Sequence, residues 1–379
     1  MWEALFLLLP VAAYSGWLLG RRALTYYTLR KFLSLGHRLD RSLSQTTHLL
    51  NRWAEPNQEV VESPLALGGW FRERGELDKA VGIHQDLSNQ RSLSTEQHAR
   101  SLLELSRDYM RAGMLDRAES LLLDLSKQPY DLSAVFQLLL DVYQQSKDWV
   151  RAIQTAGECQ KKTQRDLRHH IAHYYCELAE QQWLKGEQAQ ALQYLKDSIE
   201  MNKACVRASI LLGNVKAQSG DYQQAIRAYK QVQKQDPAFL SEIVLPLARC
   251  YESLNNPEGM FEYFHECLAE PMHHSAMLAF SEWLLKYQGE ETATHFLSQH
   301  LKDHPSLPGL YALMQWSKKQ NPVLANQHFQ FFQDLVEKML VHRSLYRCEA
   351  CGFSGRTLQW QCPSCKSWDR IKPMNESLS

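Results

Sequence analysis

A short phrase returns along the chain at intervals of about 34 residues, and this spacing constrains the fold more than any other feature. The phrase is a Gly or Asp turn, then an acidic or polar pair, then a small residue, as in RGELDKA at residues 74–80. Successive small residues, here called the crossing residues, are 38, 34, 39, 34, 34 and 34 positions apart. The crossing residues are Ala80, Ala118, Ala152, Ala191, Ala225, Gly259 and Ala293.

Leucines and prolines also recur at fixed distances from the crossing residues. A leucine stands thirteen residues before five of the crossing residues, and a proline stands twelve residues after three of them. A small residue lets two helices of a hairpin cross closely, and a proline ends the second helix. Thirty-four residues is the period of the tetratricopeptide repeat, so we predict an all-α superhelical solenoid over residues 64–320. The leucines before the crossing residues are Leu67, Leu105, Leu139, Leu178 and Leu212, and the prolines after them are Pro237, Pro271 and Pro305.

The repeat array has a segment on each side of it. Residues 23–63 lack the phrase and contain Pro56, so we predict a juxtamembrane helical segment with a degenerate first repeat. Residues 321–343 place apolar side chains such as Leu335 and Met339 at helical spacing, which predicts a capping helix. A stacked array presents a concave groove lined by the first helix of each hairpin, and such a groove holds a peptide or a folded partner.

Residues 4–20 carry no charge, and their helical length of roughly 25 Å is enough to cross a bilayer core. A cleaved signal peptide would have a basic start, whereas Glu3 precedes this stretch. The basic residues follow it, so the positive-inside rule places the N-terminus in the periplasm and the rest in the cytoplasm. We therefore predict a retained transmembrane anchor at residues 1–22. The basic residues are Arg21, Arg22, Arg30, Lys31, Arg38 and Arg41.

Composition excludes some classes of partner. Lys plus Arg and Asp plus Glu both total 42, so no overall field favours nucleic acid. Of the 9 cysteines, four cluster near the C-terminus, and the scattered five are expected to be small core residues. Metal thiolates together with free thiols indicate a reducing compartment, in agreement with a cytoplasmic location.

No catalytic motif appears in the chain. We find no nucleophile elbow, phosphate loop or dinucleotide fingerprint, so we expect a protein that is not an enzyme. His169 and His173 lie one helical turn apart, as the ligands of a zinc hydrolase do. The Glu that such an enzyme carries directly after its first His is replaced by His170. The pattern therefore favours packing and surface roles for these histidines over a metal or catalytic site.

Two C-x2-C turns stand ten residues apart near the C-terminus. Their cysteines, Cys348, Cys351, Cys362 and Cys365, are predicted to bind one iron or zinc ion in a tetrahedral four-sulfur site. Gly352 supplies the backbone freedom that the residue after a second ligand commonly needs. Residues 344–379 are too few to bury a core alone, so the metal supplies much of the folding energy of this knuckle. The aromatic residues expected to pack around the metal are Tyr346, Phe353, Trp360 and Trp368. Because four sulfurs leave no position for a bound water, the site is expected to be structural or redox, not hydrolytic.

The order of these parts is distinctive. A short span ending in GRR at residues 20–22 is followed by tetratricopeptide repeats, by YRCEACGF at 346–353 and by CPSC at 362–365. The chain closely resembles the lipopolysaccharide assembly protein B family of Gram-negative bacteria over nearly its whole length. The resemblance implies a single-pass inner-membrane protein, with most of the chain on the cytoplasmic side. It also implies a C-terminal rubredoxin-like or zinc-ribbon domain that binds iron or zinc through the four cysteines.

The resemblance also implies a task. Members of the family restrain lipopolysaccharide synthesis by presenting the committed-step deacetylase of lipid A synthesis to the membrane-bound ATP-dependent zinc protease. They also gather other lipopolysaccharide synthesis or transport proteins. The region 30–63 departs from the family pattern. Two other functions remain open from the residues alone: a membrane-tethered rubredoxin-type electron carrier, and a general scaffold without a role in proteolysis.

Overall fold

The computed structural model describes residues 58–128, 130–268, 274–320, 327–341 and 343–374. The predicted anchor at 1–22 and nearly all of the predicted juxtamembrane segment lie outside the described residues. The described helices are α1 Gln58–Glu73, α2 Leu77–Ser88, α3 Thr95–Arg111, α4 Leu115–Leu125, α5 Leu132–Ser146, α6 Trp149–Thr163, α7 Arg168–Leu184, α8 Gln188–Met201, α9 Val206–Gln218, α10 Tyr222–Gln235, α11 Leu240–Ser253, α12 Pro257–Leu268, α13 His274–Tyr287, α14 Glu290–Asp303, α15 Leu307–Gln320 and α16 Gln327–Val341. None of these described helices is both long and apolar enough to cross a membrane.

The chain forms two compact units, Met1–Val142 and Tyr143–Ser379, with the boundary inside α5. In the first unit, α1 packs on α2 and α3 packs on α4. In the second unit the same hairpin returns as α7–α8 and α9–α10, and later helices continue the succession. The described residues are therefore mostly helical and built from hairpins of the tetratricopeptide type.

The first six described hairpins have the same kind of turn between their two helices. In the first such turn, Gly75 has φ +79°, and the N–H of Glu76 donates to the carbonyl of Phe71 at 3.0 Å. This five-residue reach is the bond of a Schellman motif, which ends a helix with a left-handed residue. The same bond recurs before α4, α6, α8, α10 and α12 at 2.8–3.0 Å. The Gly–acid phrase in the sequence encodes this turn.

The crossing residues are fully buried in every described hairpin but one. Ala80, Ala118, Ala152, Ala191, Ala225 and Ala293 are all 0% exposed. The pattern is wrong by one residue in α12, where Met260 is 1% exposed and Gly259 is only partly buried. The left-handed residue of that turn is Asn255, which moves the helix start and its crossing position one place along the chain.

Two glycines allow side chains from the neighbouring helix to lie against the backbone. A Cβ atom on Gly68 of α1 would overlap the imidazole of His84, and one on Gly213 of α9 would overlap the ring of Tyr229. The His84 ring is fully buried and bonds Oδ2 of Asp108 at 2.5 Å, while Arg72 reaches Oδ1 of the same carboxylate at 2.9 Å. These contacts join α1, α2 and α3 of the first unit.

The C-terminal residues 343–374, here called the metal lobe, form a small three-stranded sheet in the second unit. Strand β1 (Tyr346–Cys348) lies between β2 (Ser354–Gly355) and β3 (Ile371–Pro373), and both pairings are antiparallel. The sheet holds both ends of the lobe together, and the two C-x2-C turns lie between its strands.

Candidate metal centre

The two C-x2-C segments fold as matching knuckles. The N–H of Gly352 donates to the carbonyl of Cys348, and the N–H of Lys366 donates to that of Cys362, each at 2.9 Å. The residue after each second cysteine is left-handed, with φ +77° at Gly352 and +60° at Lys366. A turn of this form aims both thiols of a knuckle to the same side. The sequence predicted this geometry at Gly352 and gave no sign of it at Lys366, because left-handed lysine is uncommon.

The four sulfur atoms form a compact cluster. The Sγ atoms of Cys348 and Cys365 are 3.8 Å apart, and those of Cys351 and Cys362 are 3.6 Å apart. All four lie within 4.8 Å of one another. A tetrahedral ion with metal–sulfur bonds of about 2.3 Å requires sulfur–sulfur separations of roughly 3.8 Å. The two measured separations are therefore close to those that one iron or zinc ion requires.

The protein environment acts differently on the sulfurs of the second knuckle. Hydrogen bonds from the side chain and the N–H of Ser367 lower the pKa of Cys365 to about 6, which favours the thiolate that metals bind. Burial raises the pKa of Cys362 to about 11, although the N–H groups of Cys365 and Ser364 oppose this rise. A bound cation reverses such a rise, since a coordinating thiol is deprotonated outright.

The cluster has an inner and an outer side. Cys348 and Cys362 are 1% and 0% exposed and pack with Ile371, whereas Cys351 and Cys365 are exposed. Tyr346 and Phe353 contact this small core, as the sequence predicted for the aromatic residues of the lobe. One edge of the centre therefore faces solvent.

Polar contacts dock the metal lobe on the helices of the second unit. The hydroxyl of Tyr346 donates to Oε1 of Glu242 on α11 at 2.8 Å. Lys372 on β3 forms an ion pair with Asp236, the residue that ends α10. Burial raises the pKa of the Glu242 carboxyl, and the Tyr346 hydroxyl partly offsets this effect. These pairs fix the sheet of the lobe to the turn between α10 and α11.

Trp368 carries the apolar part of the docking. Its ring is 4% exposed, stacks on His173 of α7 at 5.1 Å and meets the edges of Tyr174 and Trp149 at 5.8 and 6.2 Å. Its Nε1–H donates to Oε1 of Gln144 at 2.9 Å. Aromatic pairs of this kind contribute beyond the area that they bury. Trp368 thus packs between the lobe and helices α5, α6 and α7.

A second tryptophan makes the same kind of contact. Trp360 stacks on Phe239, the residue directly before α11, with ring centroids 5.3 Å apart. The expectation that Trp360 and Trp368 pack around the metal was wrong, because their rings stack on Phe239 and His173 instead. The lobe touches α5, α7, α9 and α11, which are the first helices of successive hairpins. The lobe thus covers part of the first-helix side of this unit, where a concave groove was predicted from the sequence.

The histidines of α7 lie at this junction. His173 is 1% exposed, and burial lowers its pKa well below the usual value, so its ring is neutral. Burial also lowers the pKa of His170 to about 4. His169 is half-exposed, and its Nε2 lies 3.6 Å from Oδ2 of Asp369 in the metal lobe. The stacking of His173 confirms the predicted packing role. The proximity of Asp369 had no signal in the sequence.

Known proteins resemble both parts of the chain. Residues 346–373 match a family model described as a rubredoxin metal binding domain, and residues 206–239 match one described as a tetratricopeptide repeat. Lipopolysaccharide assembly protein B of Escherichia coli strain K12 is 33% identical over 388 residues, covering 99% of this chain and 98% of that protein. The protein of the same name from Haemophilus influenzae strain Rd is 32% identical over 395 residues, covering 99% of each.

The comparison with solved structures gives weaker likenesses. A tetratricopeptide repeat protein from Parabacteroides merdae is 13% identical, with a TM-score of 0.34, and the match covers 68% of this chain and 98% of that one. At this score the likeness carries no weight for either fold or function.

Proposed function

This chain belongs to the lipopolysaccharide assembly protein B family, and on that premise we propose that it is a membrane-anchored adaptor that regulates lipopolysaccharide synthesis. The adaptor brings the committed-step deacetylase of lipid A synthesis to the membrane-bound ATP-dependent zinc protease, which degrades it. It also gathers other lipopolysaccharide synthesis or transport proteins. One observation carries the proposal: the likeness to the Escherichia coli protein extends over 99% of the chain and so includes both the helical hairpins and the metal lobe.

An adaptor of this kind works by concentration. Holding a substrate and a protease on one scaffold turns their encounter into an intramolecular event, which raises the rate of degradation without any catalytic residue. Helical hairpins of the tetratricopeptide type supply extended surfaces for such contacts. Since the metal lobe covers part of the first-helix side in the second unit, we propose that a partner there contacts the lobe as well as the helices.

We propose that Cys348, Cys351, Cys362 and Cys365 hold one structural iron or zinc ion. The sulfur separations of 3.6 and 3.8 Å support this assignment. The ion would contribute folding energy to a lobe whose own core is small. Loss of the ion is therefore expected to undock the lobe and remove the surface that it presents to partners.

We propose that residues 1–22 anchor the protein in the inner membrane, with the N-terminus in the periplasm and most of the chain in the cytoplasm. The uncharged stretch 4–20 and the arginines that follow it support this orientation. The anchor would place the adaptor on the same surface as a membrane-bound protease.

The test measures the half-life of the deacetylase in cells. A chain of residues 23–379 is expected to lengthen that half-life while keeping its helical fold, and a normal half-life would refute the anchor. A Cys348→Ser, Cys351→Ser variant is expected to lengthen it as well. The matched control is Cys250→Ser, which alters a buried cysteine of α11 that lies outside the metal cluster and should leave the half-life unchanged.

One observation favours electron transfer as a second candidate. Cys351 and Cys365 are exposed, and a rubredoxin-type centre needs a sulfur edge at the surface to exchange electrons. This function requires iron, because zinc has no second oxidation state. Elemental analysis of the protein from its own host decides the matter: zinc as the sole native metal rules out the electron carrier. A normal deacetylase half-life in cells that lack the whole protein would instead favour a scaffold without a proteolytic role.

A further inference from the structure

A second group of metal-ligating side chains lies where α7 meets the metal lobe. His169 and His173 stand one turn apart on α7, and Asp369 comes from the loop that precedes β3. One ligand atom from each of the three lies within 4.8 Å of the others. The closest measured pair is Nε2 of His169 and Oδ2 of Asp369, at 3.6 Å.

Buried polar atoms at this junction lack partners. Among the described residues, both ring nitrogens of His173 and Oδ1 of Asp369 make no hydrogen bond. The His173 ring is 1% exposed and is held in place by its stack on Trp368. Buried polar groups are normally hydrogen-bonded, so unpaired atoms from two neighbouring side chains point to a missing ligand. Packing alone accounts for the ring of His173 and leaves its nitrogens unexplained.

We propose that His169, His173 and Asp369 bind a second metal ion, a divalent transition ion of the zinc type. Imidazole nitrogen together with carboxylate oxygen is a common donor set for zinc. A neutral imidazole has one nitrogen lone pair to donate to a metal ion. The ion clips α7 to the metal lobe. The proposal does not depend on the adaptor role or on the four-cysteine centre.

The measured separation of 3.6 Å between His169 and Asp369 is close to the one that a zinc ion requires. Zinc with bonds of about 2.0–2.1 Å to nitrogen and oxygen brings tetrahedral ligand atoms to roughly 3.3 Å from one another. The side chain of His169 is 41% exposed and that of Asp369 is 20% exposed, so packing confines His169 less. Asp369 is left-handed, with φ +56°, and its N–H donates to the carbonyl of Trp360 at 2.8 Å, which fixes where its carboxylate begins. Three protein ligands leave a fourth position for water.

His169 and Asp369 line a cleft of about 340 Å³, through which water and ions can reach the site. Asp166 and Glu349 add negative charge to its lining, and Arg370 and Lys372 add positive charge. Lys372 is already paired with Asp236. A second cation nearby, Arg207 of α9, is paired with Glu177 at 2.8 Å and Glu180 at 2.9 Å. These pairings reduce the repulsion that a bound cation would meet.

The experiment counts zinc ions on the full-length chain, purified without a histidine tag. Zinc is titrated against a chelator of known affinity, starting with the four-cysteine centre filled. The wild type is expected to bind one further ion, which gives a total of two per chain. His169→Gln and Asp369→Asn are each expected to weaken the second ion roughly tenfold or more while keeping the first. Asparagine tolerates the left-handed backbone, so Asp369→Asn changes the charge with little strain.

The matched control uses another histidine pair. His300 and His304 are one turn apart on or beside α14, with ring centroids 5.1 Å apart, and they belong to neither candidate metal group. The control variant, His304→Gln, should bind two ions as the wild type does. X-ray absorption of the second zinc equivalent should show nitrogen and oxygen neighbours at about 2.0–2.1 Å. Binding of a single ion by the wild type overturns the proposal. So does a second ion that keeps its affinity in both site variants or has only sulfur neighbours.

Discussion

The close packing of α9 and α10 predicts opposite effects for two alanine substitutions. Gly213 lies against the ring of Tyr229, and an added Cβ atom would overlap that ring. The ring has little room to move, since it is 1% exposed and its hydroxyl donates to Oδ1 of Asn214 at 2.7 Å. Gly157 lies within α6 of the same unit, and a Cβ atom there would meet nothing within 4 Å. We therefore expect Gly213→Ala to destabilise the protein and Gly157→Ala to stabilise it.

The magnitudes follow from two contributions. Alanine in place of glycine inside a helix stabilises by about 1 kcal/mol, and both variants receive this gain. Gly213→Ala also forces the core apart, which costs about 1–3 kcal/mol. The two variants should therefore differ by about 1–3 kcal/mol in the free energy of unfolding. For a unit of this size each kcal/mol shifts the melting temperature by about 2–4 °C, so their melting temperatures should be separated by roughly 2–12 °C.

The assay is thermal unfolding of the full-length variants, followed by far-ultraviolet circular dichroism. The same substitution is also made in a Tyr229→Leu variant, which lacks the ring. There Gly213→Ala should lose most of its destabilising effect, which corresponds to a coupling energy of about 1 kcal/mol or more between the two positions. The reasoning is refuted if Gly213→Ala is as stable as Gly157→Ala, or if its cost persists without the ring.

Three further predictions concern the metal lobe. Gly352 and Lys366 both have left-handed backbones, which cost a residue with a side chain more than they cost glycine. Gly352→Ala should therefore lower the stability of the lobe by about 1 kcal/mol, whereas Lys366→Gly should not lower it. Near-ultraviolet circular dichroism during a chelator titration measures both effects. Glu242→Gln should stabilise the protein at pH 7. The reason is that burial raises the pKa of this carboxyl, so its contribution to stability is present at low pH and is lost as the pH rises through the folded-state value. Denaturant unfolding at pH 7 and pH 4 checks this, and an equal gain at both refutes it. Stripping the metal should change the tryptophan fluorescence of the lobe and spare the helical circular dichroism, and added metal should restore the fluorescence; a parallel loss of helix would contradict this.

The parts of the fold that depend on local chemistry were predictable from the sequence. Ala118 and Ala191 are buried at helix crossings because a small side chain is needed there, and Gly186 is left-handed because the turn requires it. The prediction was wrong at Gly259, since Asn255 takes the left-handed position without being glycine and moves the turn by one residue. Such a shift cannot be read from a period, because it is set by which residue tolerates the strain.

The docking of the metal lobe was not predictable. The C-x2-C spacing shows where the sulfurs cluster. Nothing in it indicates that the Trp368 ring packs away from the metal site and stacks on His173. Likewise Asp369 approaches His169 only through the tertiary fold, so the histidine pair had no visible third ligand. Contacts between distant segments depend on the shape of the assembled surfaces, and a single sequence does not reveal that shape.

The most direct test of the adaptor is to capture the full-length protein from its own membranes under mild detergent and to identify what co-purifies. The account predicts recovery of both the membrane protease and the deacetylase, with recovery reduced by Cys348→Ser, Cys351→Ser and unchanged by Cys250→Ser. Recovery of oxidoreductases in place of the protease and the deacetylase, or recovery that is the same in all three proteins, would contradict it.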